Sequence, residues 1–205
     1  MSEERTRIVG AGYDAMADAW DEWSSQVTND PRHAWLEKLV TRLPEHGRVV
    51  ELGCGNGTVE TRALAARFEL TGVDLSEEQL RRARERVPNA TFVQADLTEV
   101  AFADTSLDAV CAFYVLNHVP RDLLPGLFAR VRGWLKPGGL FLASLGASDV
   151  ENWHGEWLGV PMYFSGHVPE RNRELLAAFE LVEDEVVTIT EPEGDVSFHW
   201  ILART

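Results

Sequence analysis

The chain has 205 residues, enough for one domain with a sizeable core. Its 33 acidic residues outweigh 19 lysines and arginines, and the resulting formal charge of −14 argues against nucleic acid or an anionic membrane as partner. No apolar run is long enough to span a bilayer, and the start, Met-Ser-Glu-Glu-Arg, lacks the apolar stretch of a secretory leader. Cys54 and Cys111, with no histidine cluster at ligand spacing, fit a reduced cytoplasmic protein without a zinc site or other metal.

In chain order, Tyr13, Met16, Ala17, Trp20 and Trp23 recur at helical spacing and predict an amphipathic helix over 8–26. Asp30-Pro31 starts a second helix, whose apolar stripe runs from Trp35 to Leu43 and ends at Pro44 and Gly47. Arg48 to Leu52 is a short β-branched run ending on an acid. It enters the glycine-rich turn Gly53-Cys54-Gly55-Asn56-Gly57 and a helical segment over 60–68. Strand, glycine turn and helix in this order make a site where backbone N–H groups and a helix N-terminus face a ligand. Thr71-Gly72-Val73-Asp74 is a second apolar run ending on an acid, and a carboxylate at that strand tip is suited to a ribose. Ser76 to Gln79 reads as a capping box opening a helix to about Val87. A third strand, Thr91 to Gln94, leads to Asp96, an acid at the same sheet edge. Asp108 to Tyr114 reads as a central strand buried on both faces. A helix follows from Leu123 to Leu135, with Pro125 in its first turn. Leu135-Lys136-Pro137-Gly138-Gly139 then turns into a strand over 140–145.

From Gly146 to Val168 no period is sustained, although Trp153, Trp157, Met162, Tyr163 and Phe164 crowd the segment. Compact domains seldom keep a stretch this long without a purpose, so it reads as a substrate-facing lid over 146–169 with a short helix or two. The other reading is a hydrophobic flap packed on the core or on a second subunit, which would make a homodimer. A helix over 170–179 and a hairpin, Leu181 to Thr190 with Val196 to Ala203, close the chain. His199 and Trp200 fall on opposite faces of the last strand, and His199 reads as structural.

Glu51-Leu52-Gly53-Cys54-Gly55-Asn56-Gly57 resembles the first motif of class I S-adenosylmethionine (SAM)-dependent methyltransferases, and Leu135 to Gly139 resembles their turn before the fifth strand. A dinucleotide fingerprint would want glycine where Thr58 stands. The resemblance implies an α/β fold: a Rossmann-like, mostly parallel seven-stranded sheet with an antiparallel last strand, helices on both faces and an N-terminal helical cap. It divides one domain over 1–205 into a cap over 1–45 and a core over 46–205. Its cofactor would be SAM, held by Glu51, Gly53, Cys54, Gly55, Asp74, Leu75 and Tyr114, with Asp96 at the adenine amino group and Leu97 behind the ring. Tyr13-Asp14-Ala15-Met16-Ala17 resembles the family's N-terminal segment whose tyrosine closes over SAM.

The implied activity is methyl transfer to O or N of a small molecule. SAM brings an activated methyl, so the protein aligns the groups and excludes water. No residue announces itself as catalytic; the candidate bases are His118, His154 and His167. Asn117-His118 lacks the neighbouring carboxylates of metal-binding relatives, consistent with no metal. Two rival readings stay open: a non-catalytic SAM-fold binding or assembly protein, and an NAD-dependent oxidoreductase.

Overall fold

The computed structural model describes residues 2–205; Met1, the first residue of the segment read for a leader, lies outside the described residues. Helices α1 (Ser2–Ala15), α2 (Ala17–Ser24) and α3 (Arg32–Val40) precede a doubly wound core. The core runs β1 (Arg48–Leu52), α4 (Val59–Ala65), β2 (Glu69–Asp74), α5 (Glu77–Arg86), β3 (Thr91–Gln94), β4 (Leu107–Ala112), α6 (Leu124–Trp134) and β5 (Leu135–Gly146). A separate hairpin, β6 (Val150–Trp157) and β7 (Val160–Gly166), is inserted before α7 (Pro169–Leu175), β8 (Glu180–Glu191) and β9 (Gly194–Arg204). The seven-stranded sheet has the order β3-β2-β1-β4-β5-β9-β8, with β9 antiparallel to both of its neighbours. This is the fold expected from the sequence.

Period-two alternation sorts the central strands between two cores. Val50, Val110, Phe141 and Ile201 face α6 and α7 through Leu127, Phe128 and Leu176. Val49, Cys111, Leu142 and Trp200 face α3 and α4 through Trp35, Leu39 and Leu64. Every one of these side chains is at most 2% exposed, so the sheet is a rigid platform whose carboxyl edge holds fixed positions.

Four local expectations are corrected. The single helix over 8–26 is two, broken at Met16. Gly12 lets α1 press on β7, where an added Cβ would meet Met162 Cε at 2.8 Å. After the break α2 runs to α5, where Asp18 and Asp21 pair with Arg82 at 2.6 and 3.1 Å. The strand expected to reach Tyr114 stops at Ala112, because Tyr114 adopts φ +53°. Ser76 caps Gln79 N at 3.1 Å, but the Gln79 side chain makes no return bond, so the capping box is only half formed. The stretch over 146–169 holds the β6–β7 hairpin in place of short helices. Its two-residue turn, Leu158-Gly159, has positive φ at both positions, the geometry that matches strand twist. The missing period is also explained: β6 is exposed almost throughout, whereas Met162 and Tyr163 of β7 are buried against Val9 and Met16 of the cap.

Candidate functional site

The glycine turn leaves β1 as a tight elbow. Gly53 and Cys54 N–H donate to Val73 O at 2.7 and 3.1 Å, and Gly55 N–H donates to Asp74 Oδ2 at 2.8 Å. Gly53 has φ +71°, and an added Cβ would lie 2.4 Å from Val115 Cγ2, so glycine is required there twice over. Thr58 caps α4 and closes a box with Thr61. Asp74 also accepts from Ser76 N–H at 3.0 Å. Burial pushes its carboxyl up, against the pull of the bonds from Ser76, Gly55 and Leu75.

This elbow lines a narrow cavity of about 100 Å³ together with Glu51, Cys54, Leu75, Gln79, Leu97, Tyr13 and Tyr114. Two side chains there have unmet polar atoms. Glu51 is 2% exposed, and its Oε2 has no partner. Burial pushes its carboxyl up to about 8, partly offset by a bond from Thr61. Gln79 is 1% exposed, with both amide atoms unpartnered. Buried polar groups are ordinarily satisfied, so their lack of partners beside a cavity points to a polar ligand. Asp96 sits at the same sheet edge but does not line the cavity. Its Oδ2 accepts from Thr6 Oγ1 at 2.9 Å, and its Oδ1 accepts from Thr98 N and Oγ1, each at 2.7 Å.

A second cavity, of about 440 Å³, adjoins the first and shares with it Tyr13, Trp20, Arg32, Tyr114 and His118. His118 Nδ1 lies 2.9 Å from Tyr163 O, so Nδ1 carries the proton and Nε2 accepts from Tyr13 Oη at 2.9 Å. Burial lowers the His118 pKa to about 4, so the imidazole is neutral at pH 7. Burial first, then the charges of Asp74 and Glu191, raises that of Tyr13. Tyr114 Oη donates to Asp30 Oδ1 at 2.9 Å, and Asp30 pairs with Arg32 at 2.7 Å.

Of the three candidate histidines only His118 lines either cavity. His154 is exposed on β6 with its ring 5.1 Å from that of Tyr163. His167 is half-buried beyond β7, its pKa lowered by burial and then by Arg121 and Arg171. His199 is fully buried, 2.9 Å from Asp184 Oδ2. The sequence reading missed Asp30, Arg32, Gln79, Glu191 and Glu193. Asp30 and Gln79 read as caps and Glu191 and Glu193 as hairpin-loop residues, so no local pattern marked them. Among the described residues no group of three or more His, Cys, Asp or Glu is arranged to hold a metal ion. No described helix is long and apolar enough to cross a membrane.

A doubly wound sheet with a glycine elbow and an acid at the tip of β2 defines the Rossmann-like nucleotide-binding class. Residues 49–139 match the family model described as a methyltransferase domain. The chain is 34% identical over 161 residues to 27-O-demethylrifamycin SV methyltransferase of Amycolatopsis mediterranei, covering 68% of this chain and 58% of that one. It is 39% identical over 142 residues to trans-aconitate 2-methyltransferase of Variovorax paradoxus, covering 66% and 53%. The chain thus spans little more than half the length of these relatives. Among solved structures, the 1,6-didemethyltoxoflavin-N1-methyltransferase of Burkholderia thailandensis superposes with a TM-score of 0.77 at 20% identity, covering 100% of this chain and 90% of that one; this is a likeness of fold. The matched family model and these relatives support a class I SAM-dependent methyltransferase.

Proposed function

We propose that this chain transfers a methyl group from SAM to an oxygen or nitrogen of a small-molecule acceptor, working as one domain with residues 1–45 as its cap. The observation that carries this reading is the pair of adjoining cavities: one opens on the glycine elbow, the other is aromatic, and Tyr13 and His118 stand on their common wall.

The elbow suits the cofactor. Gly53 and Gly55 allow close approach, Asp74 is the ribose carboxylate, and Leu75 and Leu97 offer apolar surface to the adenine. Glu51 Oε2 and the Gln79 amide supply the unpaired groups a polar ligand needs. SAM brings the activated methyl, so no group in the chain has to create an electrophile. The chain's part is to orient and to exclude water. Trp20, Trp157 and Phe164 keep the acceptor side dry, and the Tyr13–His118 bond fixes the imidazole tautomer beside the junction. Neutral His118 offers its Nε2 lone pair to Tyr13, so it takes a proton from an acceptor only through that hydroxyl or after its displacement. Asp96, occupied by Thr6 and Thr98, reads as a clamp between the cap and β3, with adenine contact left to its neighbours.

Calorimetry tests the cofactor half: SAM and S-adenosylhomocysteine bind, and NADH does not. Transfer of a labelled methyl from SAM to a panel of small molecules tests catalysis. SAM binding with no transfer to any acceptor would favour a non-catalytic binding protein.

A further inference from the structure

We propose that the larger cavity selects an organic cation, a small molecule bearing an ammonium group on an aromatic or apolar frame. This rests on the reading of that cavity as the acceptor site. The first observation is the aromatic arrangement. Trp157 is at its centre, edge-on to three other rings: Trp23 at 5.1 Å and 81°, Phe164 at 5.6 Å and 80°, and Tyr13 at 6.3 Å and 69°. These four rings pack on one another and line the cavity as one aromatic cluster, and ring faces left free on such a wall attract cations.

The second observation is charge. Four carboxylates line the cavity, Asp30, Glu156, Glu191 and Glu193, against one guanidinium, Arg32. Arg32 is already committed: it pairs with Asp30 at 2.7 Å, lies 4.0 Å from Glu60, and stacks over the Tyr114 ring at 5.3 Å. Glu193 accepts from Trp23 Nε1 at 2.8 Å, which holds a carboxylate at the edge of the aromatic cluster. Glu191 is half-buried and has no hydrogen-bond or ion-pair partner among the described residues. Burial, then Glu193, pushes its carboxyl up to about 7, so a cation placed beside it would favour its ionised form. Its field reaches the hydroxyls of Tyr13 and Tyr114, both on the wall shared with the cofactor side. A cation supplies what this wall lacks. An anion would meet unpaired negative charge in a low-dielectric space and find no free positive group.

Three indoles of matched size decide the matter: tryptamine, 3-ethylindole and indole-3-acetate, titrated by calorimetry into the chain saturated with S-adenosylhomocysteine. Tryptamine is expected to bind about tenfold more tightly than either of the others. Glu191→Gln should remove most of that advantage and leave 3-ethylindole unchanged, with the melting temperature checking the fold. Equal or tighter binding of indole-3-acetate or 3-ethylindole, no binding of any of the three, or a Glu191→Gln variant that keeps full preference would overturn the proposal. A parallel titration without S-adenosylhomocysteine separates the two claims. If the cofactor product fails to bind, the methyltransferase reading fails, while tryptamine preference in the unliganded chain still reports on the cavity.

Discussion

The two cavities meet at Tyr13 and His118, yet they are made in opposite ways. The elbow side is backbone chemistry: three amides bonded to Val73 and Asp74, glycines forced by geometry, and the tips of β1 and β2 with the turns that follow them. The aromatic side is side-chain chemistry gathered from α1, α2, the Tyr114–His118 loop, the β6–β7 hairpin and the β8–β9 turn. A main-chain cradle tolerates little substitution, because each change acts on the fold and the site together. A wall of side chains can be retuned one residue at a time. Loss of stability and loss of ligand should therefore travel together on the first side and separate on the second.

The sharpest way to break this contrast is Gly53→Ala. The new methyl would meet Val115 Cγ2 at 2.4 Å on a backbone at φ +71°, so strain and clash together should cost about 3 kcal/mol or more. Chemical denaturation should show the loss, and calorimetry should show no S-adenosylhomocysteine binding. A variant with parental stability would mean that the elbow is not under steric control.

Glu51→Gln comes next and has opposite signs in its two readouts. The Glu51 carboxyl is raised above its usual range by burial, so the native state keeps a proton that the unfolded chain releases. Its stabilising contribution is complete below about pH 4.5 and falls away as pH rises toward about 8. Glutamine removes that slope, and the unliganded variant should be more stable at pH 7 by about 2–3 kcal/mol. Affinity for S-adenosylhomocysteine is nevertheless expected to fall, since glutamine cannot become the carboxylate that a cationic group of the ligand would favour. Denaturation at pH 5, 7 and 9 reads the slope; parallel curves for variant and parent would refute the buried, protonated state.

Asp74→Ala follows. It takes the acceptor from Gly55 and Ser76 N–H, bonds worth about 1.5–3 kcal/mol when the partner is charged. S-adenosylhomocysteine binding should weaken by about a hundredfold, and retained affinity would remove the ribose role.

The same division explains what the sequence could tell. Glu51 to Gly57 and Asp74 lie in short contiguous motifs whose backbone demands are local, so the fold and the elbow could be read directly. The β6–β7 hairpin could not, because β7 buries Met162 and Tyr163 against Val9 and Met16, roughly 150 positions earlier in sequence, and β6 shows no alternation of its own. Glu191 was invisible for a similar reason. Its place on the cavity wall arises where Thr28 bridges to Thr190 and draws the segment after α2 onto the end of β8. Asp96 shows the converse. The sequence marks its place after a strand tip, and only the fold adds that a threonine on α1 donates to its carboxylate.

The smallest effect sits on the seam. Tyr13→Phe deletes the hydroxyl that donates to His118 Nε2 and keeps the ring against Trp157. The lost bond should cost about 1 kcal/mol, with S-adenosylhomocysteine affinity nearly unchanged. The informative readout is the imidazole itself. With its lone pair no longer engaged by a donor, His118 should titrate above its present value of about 4, toward the usual range, as followed by NMR of the ring protons. In the parent, the depressed pKa means that the neutral ring's stabilising effect is complete above about pH 6.5 and is lost as pH falls toward 4. The variant should therefore lose less stability across that window than the parent. An unchanged titration would show that burial alone holds His118 neutral, and the two cavities would then share a wall without sharing a proton-bearing link.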